Sequence, residues 1–61
     1  MTEQEIVEKT YESTIQQMCS QLFSMLLISH DATEREKAEQ IFRHGVNTAR
    51  EVRDRAKQLL P

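Results

Sequence analysis

The chain is short of almost everything from which a pocketed enzyme or a cross-linked miniprotein is made. Its 61 residues include one cysteine, one glycine, one proline and no tryptophan. A lone Cys19 cannot close a disulfide within one chain, and an unpaired thiol fits a reducing compartment, so a cytoplasmic location is expected. The single glycine excludes a Gly-rich phosphate loop, and a chain with so few breaks offers little concavity for a substrate pocket. The longest unbroken apolar run, Met25-Leu26-Leu27-Ile28, is far too short to cross a bilayer. The opening Met1-Thr2-Glu3-Gln4-Glu5 lacks a basic-then-apolar signal pattern. Positive charge is not in excess either. The net charge is −2 and the pI about 5.6, which gives no general affinity for nucleic acid.

What is present is helical periodicity. From Ala38 to Leu59 the small and apolar residues fall at Ala38, Phe42, Gly45, Ala49, Val52, Ala56 and Leu59, stepping alternately by four and three. This is a helix seam, and four of its members are Ala or Gly, so another helix can approach closely. Earlier in the chain Tyr11, Ile15, Met18, Leu22 and Met25 step the same way, with Cys19 and Leu26 widening the stripe on one side. Thr2-x-x-Glu5 has the spacing of a capping box, which starts the first helix near Glu3. Asp31-x-x-Glu34 and Thr33-x-x-Glu36 both have that spacing too, so the second helix begins at Ala32 or Glu34. The expectation is an all-α chain, a single domain over residues 1–61, with two helices of about 26 residues (about 3–29 and 33–60), each roughly 39 Å long. The connection between them is short enough to make them antiparallel neighbours.

Folding that hairpin gives a register. Pairing Tyr11 with Val52, Ile15 with Ala49, Met18 with Gly45, Leu22 with Phe42 and Met25 with Ala38 keeps the sum of residue numbers constant to within one. Large residues of the first helix then meet mostly small ones of the second, as interdigitating layers require. Gly45 in mid-helix costs about 1 kcal/mol relative to Ala. Its place in the seam suggests that Met18, or a helix of a second copy, needs the space. Charge agrees with this register. Glu3, Glu5, Glu8 and Glu12 lie alongside Arg50, Arg53, Arg55 and Lys57, and each sign suits its helix dipole.

A chain of 61 residues, 38% of them apolar, is too small to bury much core alone. With neither disulfide nor metal to staple it, self-association is the expected source of further core. Two hairpins would make a dimeric four-helix bundle. The expected interface residues are Met18, Leu22, Phe23, Met25, Leu26, Leu27, Ile28, Ile41, Phe42, Gly45 and Ala49. Near the turn Phe23, Leu27 and Ile28 fall off the intramolecular stripe, so that end is apolar nearly all round and must be covered. A second copy covers it in the simplest reading; another protein could dock there, with Met18 and Met25 giving adaptability.

Arg43, Arg50 and Lys57 recur every seven residues, with Arg53 nearby, and could contact phosphates of RNA or DNA. No aromatic residue interleaves with them, and Glu51 and Asp54 partly neutralise them, so a solvated face is favoured. Cys19, His30 and His44 lack the spacing of a metal site, and no cofactor or catalytic residue is expected. The chain is expected to be non-enzymatic.

Met1-Thr2-x-Gln4-Glu5, Asp31-Ala32-x-Glu34, and Ile15 and Leu22 resemble the corresponding parts of the Rop-type family of dimeric helical hairpins. That resemblance implies an antiparallel four-helix bundle and a plasmid RNA-binding regulator. The family's RNA face uses lysine, asparagine, phenylalanine and glutamine along the first helix, whereas this chain has Glu3, Thr10, Thr14, Met18 and Met25 there. The expectation is therefore a dimeric regulatory or adaptor module acting through protein contacts. A nucleic-acid-binding regulator using the basic stripe is the alternative. A small subunit of a larger assembly is a third possibility.

Overall fold

A computed structural model describes residues 1–61 as two α-helices, α1 (Glu3–Ile28) and α2 (Ala32–Leu59), packed antiparallel. Each ends one residue earlier than the periodicity suggests, within the usual fraying of helix ends. Thr2 caps α1, its side-chain oxygen accepting the Glu5 amide at 3.1 Å. Of the two capping boxes at the turn, Asp31 is the one used: its carboxylate accepts the Glu34 amide at 2.8 Å and α2 starts at Ala32. The Glu34 carboxylate in turn accepts the His30 amide at 2.8 Å. Ser29 closes α1 by donating its hydroxyl to the Met25 carbonyl at 2.6 Å. Ser29 and Asp31 are both extended, and no residue has positive φ. The turn therefore needs no glycine, which leaves the only one free for the seam.

Gly45 lies directly under Met18. A Cβ placed there would collide with the Met18 Cε and stand 3.2 Å from its Sδ. The expected meeting of a bulky residue on α1 with a bare position on α2 is thus present in the hairpin itself. Ala38 is the tightest point, 3% exposed and the one fully buried residue of the chain.

The seam departs from the expected one at its far end. Val52 and Leu59 are 62% and 83% exposed, and Arg53 and Leu60 are the half-buried residues there instead. The cause is geometric. Seven residues of a straight helix fall about 20° short of two turns, so a strict heptad line drifts about 60° around the helix in three heptads. One extra step of four, from Ala49 to Arg53, restores the contact. The thiol of Cys19, expected beside a covered stripe, is exposed as well, because it sits on a flank that a single pair of helices leaves open.

The Cα trace measures 48 × 18 × 6 Å. It is one layer of two rods, whereas a hydrophobic core forms between layers. Its radius of gyration is 14.4 Å, against about 10.5 Å for a compact chain of this length.

Candidate interaction surfaces

A single layer has two faces, and an ion pair fixes which residues belong to which. Lys57 of α2 donates to the Glu8 carboxylate of α1. At about 100° per residue, Cys19 stands about 20° and Phe23 about 60° from Glu8 around α1. Arg50 and Arg43 stand about 20° and 40° from Lys57 around α2. These residues share one face, on which Glu12 of α1 and Glu36, Glu39 and Asp54 of α2 also lie. Ile6 lies about 160° from Glu8, and Val52 and Thr48 lie about 140° and 180° from Lys57, on the opposite face.

That opposite face carries an apolar groove of about 480 Å³ in the half of the hairpin away from the turn. Its α1 wall includes Ile6, Thr10 and Thr14, its α2 wall Thr48 and Val52, and its floor Gly45, Ala49 and Ala56. Two of the threonines are less polar than their names suggest. The Thr14 hydroxyl donates to the Thr10 carbonyl at 2.9 Å and the Thr48 hydroxyl to the His44 carbonyl at 2.8 Å. With hydroxyls turned back onto their own helices, an occupant meets methyl groups and owes them no hydrogen bond. His44 stands at the rim, exposed. Sequence reasoning missed this wall because Ile6 and the threonines lie outside the apolar stripes. The legible signal was Thr10, Thr14 and Thr48 at helical spacing beside Gly45.

The residues expected to mediate contacts divide among three places. Met18, Leu22, Met25, Leu26, Phe42, Gly45 and Ala49 are half-buried and most lie between the helices. Phe23, Leu27, Ile28 and Ile41 are exposed, but they do not form one patch. Phe23 and Ile28 are about 140° apart around α1, and Ile41 borders a shallow depression with Ser20, Ser24 and Met25.

The four candidate phosphate contacts divide too. Arg53 lies over the Tyr11 ring, 4.4 Å from its centroid, and its Nε is 3.0 Å from the Asp54 carboxylate. The hydrogen bond to Asp54 raises the guanidinium's pKa further above its ordinary value, so it stays charged. Lys57 is taken by Glu8. Arg43 and Arg50 are in no ion pair. No group of three or more His, Cys, Asp or Glu side chains is placed to hold a metal ion, and no helix is long and apolar enough to cross a membrane. The hairpin is compatible with the Rop-type architecture, but no protein family, curated protein or solved structure matches the chain.

Proposed function

We propose that the protein is a small non-enzymatic regulatory or adaptor module, working through protein–protein contacts as a dimer of hairpins, a Rop-like four-helix bundle. The observation that carries this reading is the surface left bare. The chain exposes 4936 Å² and buries one residue. A compact folded protein of its mass exposes about 4,100 Å². The excess, about 800 Å², is what each partner contributes to an interface of standard size. The groove is the natural place for a second copy: it is apolar, floored by small residues, and its bonded threonines ask for no polar match.

Sedimentation equilibrium of the wild type and of Val52→Asp tests this. The wild type should weigh twice its 7.2 kDa chain mass at micromolar concentration. Val52→Asp, which puts an unpaired carboxylate in the groove, should shift the mass to a single chain. A wild-type protein that stays at the chain mass would refute the dimer.

The nucleic-acid reading is the weaker alternative. Arg43 and Arg50 favour it, being free of ion pairs, while Arg53 and Lys57 are engaged within the hairpin. It predicts RNA binding that weakens steeply with salt and disappears with Arg50→Glu.

A further inference from the structure

The groove occupies the open half of its face, and the turn half of the same face carries exposed apolar side chains of its own. Ile28 of α1 lies about 160° from Glu8, and Ile41 of α2 about 160° from Lys57. Both therefore stand on the side of the layer that holds the groove walls Ile6 and Val52. Ile28 is 70% exposed and Ile41 57%. Four charged residues lie on this face as well: Glu3 and Arg55 in the open half, Glu34 and Lys37 beside the turn.

We infer that the second copy lies reversed on this face, its Ile28 and Ile41 seated against the Ile6 and Val52 walls of the groove. The inference rests on the dimer proposed above and names what fills its groove. A two-fold axis running across the helices sets α1 on α1 and α2 on α2, each pair antiparallel. Placing Ile6 opposite Ile28 of the second copy fixes the offset along α1. Carried across the seam by the Met18–Gly45 contact, the same offset brings Val52 to Ile41 of the second copy to within about one residue. Two apolar pairs on different helices thus fall into one register, and each is made twice because the contact is self-complementary. The other two-fold arrangement, with both turns at one end, sets α1 on α2 at equal height. It joins Ile6 to Leu59, but it puts Ile28 between Glu34 and Lys37 of the second copy and Ile41 between its Gln21 and Ser24. Only the reversed arrangement gives both turn-end isoleucines apolar neighbours. Its unfavourable contacts are at the edge, where Leu59 meets Glu34 and Lys37 meets Arg55 of the second copy.

A distance between spin labels tests the orientation. A label on Thr33→Cys, in a Cys19→Ser background, sits at the exposed start of α2. At 1.5 Å per residue the reversed dimer holds two such labels about 40 Å apart, whereas turns at one end bring them to about 20 Å. Charge reversal tests the register. Arg55→Glu should tighten the dimer about fivefold in sedimentation equilibrium by pairing with Lys37 of the second copy, and Lys37→Glu should do the same. The double variant Lys37→Glu/Arg55→Glu should return to within about twofold of the wild type. Ile41→Asp should weaken the dimer at least about tenfold. A two-chain mass with labels near 20 Å would overturn the inference and leave the dimer standing. So would a dimer that Arg55→Glu fails to tighten, or one that Ile41→Asp leaves intact. A wild-type mass of one chain would remove the dimer and the inference together.

Discussion

The two halves of the interhelical seam share one spacing and differ in chemistry. Near the turn, Met18 covers Gly45, Leu22, Met25 and Phe42 are half-buried, and the one buried residue is Ala38, so this half of the seam is apolar. Toward the termini the same register brings Tyr11 against Arg53 and Glu8 against Lys57. The first half excludes water with small residues that let the helices approach. The second holds them together with cations whose long stems cover apolar surface while their heads stay wet. Apolar contact gains with each methylene removed from water, whereas exposed ion pairs contribute little and are screened by salt. The turn half should therefore carry the stability of the hairpin and the open half its orientation.

Substitutions should follow that ranking. Ala38→Asp places a carboxylate at the buried point and should cost about 3 kcal/mol, enough to unfold a chain this small; urea melts followed by circular dichroism read it directly. Gly45→Leu should cost about 2 kcal/mol by overpacking against Met18. Its cost should fall by about 1 kcal/mol in a Met18→Ala background, a coupling that a double-mutant cycle isolates. At the turn, Asp31→Ala removes the cap of α2 and should cost about 1 kcal/mol, with Thr2→Ala at the free end costing less. In the open half, Tyr11→Leu should cost between about 0.5 and 1 kcal/mol through the lost contact with Arg53. Lys57→Gln should change stability by no more than about 0.5 kcal/mol, and by less at high salt. A Lys57 effect larger than that of Gly45→Leu would invert the comparison between the halves.

How much of this was legible in the sequence also divides along the seam. The two helices and the Thr2 cap follow from local chemistry, because capping spacing acts within a few residues. That spacing narrows the α2 cap to Asp31 or Thr33, and the hairpin register pairs Met18 with Gly45 without excluding a second copy in that space. The switch from Val52 to Arg53 and from Leu59 to Leu60 does not follow locally. A heptad line drawn on paper assumes helices that coil around each other, and two nearly straight rods drift off it. The groove was hidden for a different reason. Residue names count threonine as polar, while the hydrogen bonds of Thr14 and Thr48 to their own helices make that wall apolar. The turn-end residues Phe23, Leu27, Ile28 and Ile41 were identifiable as uncovered, but their distribution over both sides of the layer required the position of Lys57 beside Glu8.

The claim beneath all of this is that one layer of two helices is half of a fold. Helix content and mass measured together across a dilution series, by circular dichroism and sedimentation equilibrium, test it most directly. The account predicts that mass falls from two chains to one and that helicity falls with it. A single-chain species that keeps its full helicity and a sharp, cooperative melt would contradict it.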